Sequence, residues 1–311
     1  MIPSKDMTVS LSVVITCYRE GELLFDAVNS VLQQSLHPLE IIIVNDATTD
    51  RATIAACQEL EHHPLIQVLW LQENGGTSTA RNKGFHTAQG EILVLLDADD
   101  ILPPEALKHI AQTFAQHPDA DFIYGNYLRC TQANPAGFLV APPDCCLTRM
   151  LRAKPLSPSS QWDLSDKSPL KKSLWQSLGG YDPEFGVADL HDVEFWLRAI
   201  ASGCSHYYID ETLYIWRKYL GNNSRQVTPL AWYKLVKKHL ETYRQLGLDY
   251  RAYELLLLGS KWLADPEATR TYSAALLKCI KEGRFQFSSL VALLMPTWLF
   301  QPLSHWLSKK R

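Results

Sequence analysis

Residues 41–46 have the sequence IIIVND, in which four β-branched apolar residues are followed directly by two polar ones. A strand that is apolar on both faces is typical of a parallel sheet covered by helices on each side. Further apolar runs start about 26–30 residues apart, the length of a βαβ unit, and lie at residues 9–16, 66–71, 92–96 and 122–124. Helical patterns fill the intervals. The sequence therefore predicts an α/β fold with a doubly wound, mostly parallel sheet flanked by helices.

Polar residues follow four of these predicted strands. Ligands of doubly wound sheets bind at the carboxyl ends of the strands, which here carry residues 16–18 (TCY), 45–46 (ND), 74–76 (NGG) and 97–100 (DADD). Polar residues after a single strand would only indicate where that strand ends. Polar residues after four strands at one sheet edge predict a binding site. No G-x-G-x-x-G follows the first strand and no G-x-x-x-x-G-K-[ST] occurs, which argues against dinucleotide and P-loop sites.

The cluster Asp97, Asp99 and Asp100 follows a buried strand directly. Three carboxylates within four residues repel one another unless a cation lies between them. Oxygen ligands without neighbouring Cys or His favour Mg²⁺ or Mn²⁺, and Mg²⁺ is often shared with substrate phosphates. The sequence predicts a metal–diphosphate site here. The alternative is an acidic cap for the helix that begins near Pro103, for which a single Asp suffices.

Composition narrows the class of protein. The chain has 311 residues and a formal net charge of −3, a balance that argues against a nucleic-acid-binding protein. Its seven cysteines are odd in number and form no C-x-x-C pair, which indicates reduced thiols in a cytoplasmic protein rather than disulfides or a zinc site. Residues 1–12 contain no apolar h-region, so we expect no signal peptide.

Six motifs together resemble the family 2 glycosyltransferases with a GT-A fold. They are residues 12–18 (SVVITCY), 43–50 (IVNDATTD), 74–82 (NGGTSTARN), 96–100 (LDADD), 179–182 (GGYD) and 191–198 (HDVEFWLR). The resemblance implies a nucleotide-sugar-binding half at residues 1–128 and an acceptor-binding half at 129–225. Residues 226–311 lack the βαβ rhythm and predict a helical C-terminal extension.

The resemblance also implies the residues of the donor site. These are Thr16 and Tyr18 beside the base, Asp46 at its imide edge, Arg81 near the base and diphosphate, Asp97 and Asp99 at the nucleotide sugar, and Asp99 and Asp100 at a Mn²⁺ or Mg²⁺ cofactor. Glu20 and Arg217 are further candidates, Arg217 near the diphosphate. Asn45 and Ala47 depart from the family pattern, which has an acid and commonly a Gly at these positions.

On the acceptor side, the resemblance implies that Asp192 is the general base. An alcohol is a poor nucleophile until a carboxylate takes its proton. Capping of the helix is the alternative role for Asp192, and Asp189 and Glu194 are alternative bases. His191 stands where the family has Glu. Trp162 is a candidate for stacking on a sugar, with plain packing as the alternative.

These features predict a metal-dependent, inverting glycosyltransferase of polysaccharide biosynthesis, with inversion implied by the resemblance alone. It would move a sugar from a nucleotide-sugar donor to a hydroxyl of a glycan, lipid-linked or small-molecule acceptor. We expect the donor to be UDP-linked. One alternative is a nucleotide-sugar-binding protein without transfer activity. Another is a nucleotidyltransferase of related fold, but residues 17–21 (CYREG) lack the basic, Gly-rich loop of that class.

The C-terminal segment has a distinct pattern. Residues 285–308 contain no formal charge, but Pro296 and Pro302 interrupt them. Basic residues flank the segment, and Trp298 and Trp306 suit a membrane interface. We expect peripheral attachment to the inner face of the membrane through residues 285–311. The alternative is packing on the catalytic domain or on a second copy in a homodimer.

Overall fold

The structure, a computed structural model, describes residues 9–155, 159–186, 190–217 and 228–299. The chain forms two compact units. Unit 1 comprises residues 1–144, 164–187 and 195–224, and unit 2 comprises residues 145–163, 188–194 and 225–311.

The described part of unit 1 is built on one eight-stranded sheet. Its strands are β1 (Leu11–Cys17), β2 (Glu40–Asn45), β3 (Ile66–Trp70), β4 (Ile92–Asp97), β5 (Phe122–Thr131), β6 (Asn134–Val140), β7 (Leu170–Lys171) and β8 (His206–Arg217). The order is β3-β2-β1-β4-β7-β5-β6, and β8 pairs with β5 outside this path. The pairs β1–β2, β1–β4, β2–β3 and β5–β8 are parallel. The predicted mostly parallel α/β sheet is confirmed.

Helices cover both faces of this sheet. They are α1 (Leu23–Leu32), α2 (Arg51–Leu60), α3 (Gly76–Thr87), α4 (Ala106–Gln116), α6 (Lys172–Ser177) and most of α7 (His191–Ala201). Helix α2 begins where the Asp50 carboxylate accepts a hydrogen bond from the Thr53 amide at 2.8 Å, as a good N-cap does. Consecutive strand residues such as Ile41 and Ile42 are both fully buried, because each points into one of the two helix layers.

Gly84 lets α3 lie close to the sheet. A Cβ at this position would come within 2.3 Å of Val14 Cγ1 and 3.0 Å of Val44 Cγ2. Real carbon atoms do not approach so closely, so a larger residue would push the helix away from β1 and β2. The glycine therefore fixes the distance between α3, which carries Arg81, and the two strands.

Unit 2 is helical, as predicted for the C-terminal extension. Its helices are α5 (Leu147–Leu151), α8 (Pro229–Lys238), α9 (Leu240–Gln245), α10 (Asp249–Trp262), α11 (Pro266–Lys281) and α12 (Phe287–Leu294), followed by a 3₁₀ turn at Thr297–Leu299. The first residues of α7 also belong to this unit. Helix α10 is buried on nearly all sides, and its Arg251 and Glu254 form an ion pair with no exposed side-chain surface. Within the described residues, the longest apolar helical stretches are too short to cross a bilayer.

Candidate functional site

The polar strand ends of unit 1 lie side by side, as the sequence predicts. In the register of the sheet, Thr16 of β1 stands opposite Asp97 of β4, and Cys17 stands opposite Asn45 of β2. The carboxyl ends of three neighbouring strands therefore meet at one edge. This edge carries the acidic cluster and the residues expected to bind the base.

Asp97, Asp99 and Asp100 come together at the end of β4. One carboxylate oxygen from each residue lies within 4.8 Å of the other two. A tight turn produces this approach, because the Asp100 amide donates to the Asp97 carbonyl at 3.0 Å. The three oxygens form the donor set of a hard divalent cation, which prefers carboxylate ligands.

Two residues of strand β8 hold the Asp100 carboxylate in place. The Tyr214 hydroxyl and the Arg217 amide donate to its two carboxylate oxygens, the amide at 2.6 Å. Arg217 Nε also donates to the Asp99 carbonyl at 2.8 Å, and Nη1 pairs with Asp26 at 2.7 Å. In the described part of the chain, the buried Nη2 of Arg217 has no hydrogen-bond partner. This donor beside the cluster fits a phosphate oxygen.

Burial and mutual repulsion raise the pKa values of two carboxyl groups in the cluster. Burial, followed by the charge of Asp97, raises the pKa of Asp99 to about 6. The same two causes raise the pKa of Asp100 to about 8. A cation among these carboxylates would favour their charged forms and reverse both shifts. The electrostatics of the site therefore fit a divalent metal as well as its donor set does.

Asp97 differs from its two neighbours because it is paired with basic side chains. Its oxygens lie 3.3 Å from Arg81 Nη2 and 2.8 Å from Lys167 Nζ, and both cations also contact Asp166, at 3.1 and 2.5 Å. Burial acts to raise the pKa of Asp97, but the charges of Lys167 and then Arg81 outweigh it and hold the pKa below its usual value. Asp97 is thus a charged, anchored carboxylate.

Sequence reasoning missed Asp166 and Lys167. They lie in residues 129–170, where no periodicity indicates a strand or helix, and nothing in the local sequence SDKS distinguishes them. Lys167 is only 5% exposed, and the charges of Asp166 and Asp97 raise its pKa despite burial. Among the described residues the site therefore contains the buried cations Arg81, Arg217 and Lys167, of which the sequence predicted the first two.

Asp46 lies at the end of β2, and its carboxylate contacts the backbone amides where α3 begins. Its two oxygens accept hydrogen bonds from the Gly75 and Gly76 amides, each at 2.9 Å. Asn45 turns the chain here, because its side-chain oxygen accepts from the Thr48 amide at 3.0 Å. Ala47 follows with a φ of 51°, a conformation that favours glycine. This explains why Gly is common at that position in the family.

The other donor-side candidates lie at the end of β1. Thr16 and Tyr18 are both half-buried there. Strand β1 lies between β4, which carries the acidic cluster, and β2, which ends beside Asp46. Glu20 closes its own turn, since its carboxylate accepts from the Tyr18 and Arg19 amides at 2.5 and 2.8 Å. These contacts favour a structural role for Glu20.

The acceptor-side candidates lie in unit 2. Asp192 is half-buried in the first turn of α7 and His191 is buried beside it. Glu194 is fully buried, and one of its oxygens lies 2.7 Å from Lys238 Nζ and 3.0 Å from His239 Nε2. These contacts favour an internal ion pair rather than the role of alternative base for Glu194. Trp162 is half-buried, and Asp189 lies outside the described residues.

Comparison with known proteins adds independent evidence. Residues 12–150 match the family model described as glycosyl transferase family 2. Glycosyltransferase GlyG of Streptococcus pneumoniae is 27% identical over 240 residues, which cover 73% of this chain and 76% of GlyG.

Two solved structures share the fold. Staphylococcus aureus TarS 1–349 in complex with UDP-GlcNAc has a TM-score of 0.63 at 20% identity, covering 88% of this chain and 81% of TarS 1–349. The mannosyltransferase PcManGT from Pyrobaculum calidifontis, in complex with GDP-Man and Mn²⁺, has a TM-score of 0.53 at 19% identity, covering 96% and 84%. The fold, the ordered motifs and the family match lead to one conclusion: residues 12–150 form a glycosyl transferase family 2 region, within a fold that is similar to the solved GT-A structures.

Proposed function

We propose that this enzyme transfers a sugar from a UDP-linked donor to a hydroxyl of a glycan, lipid-linked or small-molecule acceptor in polysaccharide biosynthesis. The observation that carries the proposal is the approach of three carboxylate oxygens, from Asp97, Asp99 and Asp100, to within 4.8 Å of one another. UDP-GlcNAc in the TarS structure supports the donor class, and Mn²⁺ in the PcManGT structure supports a divalent cofactor.

In this proposal Asp99 and Asp100 hold Mn²⁺ or Mg²⁺. The cation supplies positive charge that offsets the negative charge of the departing nucleoside diphosphate. Arg81 and the Nη2 group of Arg217 add donors on the protein side. Asp97, paired with Arg81 and Lys167, keeps those cations in place and contacts the nucleotide sugar.

The remaining donor contacts lie at the ends of β1 and β2. Thr16 and Tyr18 line the base, and Asp46 accepts a hydrogen bond from its imide edge. Because Asp46 already accepts from the Gly75 and Gly76 amides, its carboxylate is held in a fixed position before the donor binds. Such preorganisation reduces the cost of ordering the site.

For the acceptor, we propose that Asp192 takes the proton of the attacking hydroxyl. The oxygen then attacks the anomeric carbon from the face opposite the diphosphate, so the product has inverted configuration. A carboxylate in hydrogen-bond reach of the hydroxyl is sufficient for this step. Asp189 is the alternative base.

A panel of nucleotide sugars tests the proposal. We expect one UDP-sugar to raise the melting temperature of the full chain with Mn²⁺ but not with EDTA, and to release UDP when a hydroxyl acceptor is added. Metal-dependent binding without release or transfer would indicate a binding protein. Pyrophosphate formation from UTP and a sugar phosphate would indicate a nucleotidyltransferase. Either outcome would reject the proposal.

We also propose that the enzyme works in the cytoplasm, attached to the inner face of the membrane through the segment that begins at Phe285. Residues 300–311 of that segment lie outside the described residues. Attachment would bring a lipid-linked acceptor to the enzyme.

A further inference from the structure

Helix α12 has its polar residues inside and its apolar residues outside. Ser288 and Ser289 are buried, and their hydroxyls donate to Glu254 Oε2 at 3.0 and 3.1 Å. On the other side of the helix, Phe287, Leu290 and Leu294 are 54%, 39% and 82% exposed. Their spacing of three and four residues places them on one face. A helix at the surface of a globular unit normally has the opposite arrangement.

Buried polar contacts fix this orientation. Lys261 Nζ donates to the carbonyls of Ala292, Leu293 and Met295 at 2.6, 3.1 and 2.6 Å, at the C-terminal end of α12. At the other end, the Gln286 side chain accepts from the Ala153 amide at 3.2 Å. Turning the helix to bury its leucines would leave Lys261 and Glu254 buried without these partners, which is costly. The apolar side is therefore held outward.

The exposed apolar surface extends beyond the helix. Thirteen large apolar residues of the described chain are exposed, and seven of them lie within residues 277–299. We call these seven the apolar face: Leu277, Phe285, Phe287, Leu290, Leu294, Trp298 and Leu299. Such a concentration marks an interaction surface rather than scattered exposure.

Charge indicates which surface covers the apolar face. Lys278 and Lys281 are exposed on α11, the helix that also carries Leu277 of the apolar face. Basic residues around an apolar face complement an anionic leaflet, and the indole of Trp298 suits its headgroup level. A second copy docked on the same face through a two-fold axis is the alternative occupant.

We propose that the apolar face docks on an anionic lipid surface, with Phe287, Leu290, Leu294 and Trp298 entering the headgroup boundary and Lys278 and Lys281 contacting lipid phosphates. This inference specifies the attachment proposed above and is independent of glycosyl transfer. The inverted helix α12 acts as the docking element.

Vesicle flotation of the full-length chain tests the apolar contacts. We expect it to float with phosphatidylcholine vesicles that contain phosphatidylglycerol and to stay behind with pure phosphatidylcholine. The triple variant Phe287→Gln, Leu290→Gln, Leu294→Gln should bind about tenfold less. The variant Phe138→Gln, Leu139→Gln is the matched control, because both residues are about 60% exposed on β6. Its flotation should equal that of the unchanged chain.

A charge variant tests the lipid phosphates. Lys278→Gln with Lys281→Gln should weaken binding by about fivefold per lysine at low salt. Full-length chain that fails to float with anionic vesicles would overturn the proposal, and so would a triple variant that floats unchanged. A dimer in sedimentation that the triple variant converts to monomer, without vesicle binding, would assign the face to a second copy.

Thermal stabilisation by UDP and Mn²⁺, measured on each variant, separates this inference from the proposed function. Loss of flotation with unchanged stabilisation shows that the variant is folded and that only docking is affected. Absence of stabilisation in every protein, with flotation intact, would reject the donor chemistry and leave the docking proposal standing.

Discussion

Lys167 Nζ lies 2.8 Å from Oδ2 of Asp97, while Arg81 approaches Oδ1 of the same carboxylate at 3.3 Å. Both oxygens of the first aspartate in the cluster therefore have basic partners. Asp99 and Asp100 have no such ion pair among the described residues, and burial keeps their pKa values high. The cluster thus divides into one anchoring carboxylate and two that are suited to a metal.

We predict that Lys167→Met lowers the free energy of unfolding by about 2 kcal/mol, because it leaves Asp97 and Asp166 with Arg81 as their shared cation. Breaking a fully buried pair costs about 3–5 kcal/mol, and here the partner acids are 31% and 24% exposed, which reduces the cost. Lys108→Met is the control, since its pair with Glu105 is exposed and contributes about 0.5 kcal/mol. Equal effects in urea denaturation would contradict this role of Lys167.

Asp99→Ala and Asp100→Ala should each weaken Mn²⁺-dependent binding of UDP by about 10²-fold or more, since losing a metal ligand costs at least as much affinity as losing a residue that only orients one. Calorimetric titration with and without Mn²⁺ measures the effect. Glu91→Ala, at an exposed acid just before β4, should bind like the unchanged enzyme. Unchanged Mn²⁺ dependence in either Asp variant would remove that residue from the metal site.

Asp192→Asn should lower turnover by roughly 10²–10⁴-fold, the range for loss of a general base, and leave UDP-sugar affinity unchanged. Glu194→Gln is the comparison, because the buried contacts of Glu194 with Lys238 and His239 predict a loss of stability instead. Steady-state kinetics with thermal melting separates the two effects. An Asp192→Asn enzyme with parallel losses of affinity and rate would indicate a helix cap.

The stability of the metal-free enzyme should fall as pH rises. Asp99 and Asp100 have folded-state pKa values raised from 3.8 to about 6 and about 8. The folded chain therefore binds protons that the unfolded chain has released. Their contribution is fully present below about pH 4 and is lost as pH rises through 6 and 8.

Melting temperatures in EDTA between about pH 5 and pH 9 measure this loss. Asp100→Asn should raise the melting temperature near the upper pH and change it little near the lower one. Added Mn²⁺ should cancel most of the decline. A flat profile for the metal-free enzyme would show that the two carboxylates ionise normally in the fold.

Gly84→Ala should destabilise unit 1 by about 1–3 kcal/mol, the usual cost of overpacking. The added methyl group would meet Val14 Cγ1 at 2.3 Å, whereas a Cβ at Gly186 would meet nothing within 4 Å. Gly186→Ala is therefore the matched control and should unfold at nearly the same denaturant concentration as the unchanged chain. If both variants behave alike, α3 does not pack on the sheet as closely as described.

The sequence predicted the first half of unit 1 well because its structure follows from local pattern. From β1 to β4, apolar runs of even spacing alternate with helices of regular period, and this repeat predicts one parallel sheet. The polar residues at the strand ends then meet at one edge through the topology alone. Thr16, Asp46 and the acidic cluster could be located in this way.

The rest of the sheet could not be predicted because its strands follow no such repeat. Strand β7 has two residues, and it joins β4 to β5 by antiparallel contacts at Leu170. Strand β8 pairs with β5 across more than eighty residues, as in Phe122 with His206. Lys167 lies just before β7, so the same limitation concealed its contact with Asp97.

The hydrogen bonds of Asp100 have a consequence for biosynthesis. Its donors Tyr214 and Arg217 lie 114 and 117 residues further along the chain. At about 5–20 residues per second, a ribosome completes β4 roughly 6–23 s before it adds these donors. The hydrogen bonds that hold Asp100 can therefore form only after translation has passed Arg217, well after the strand that carries the acids has been made.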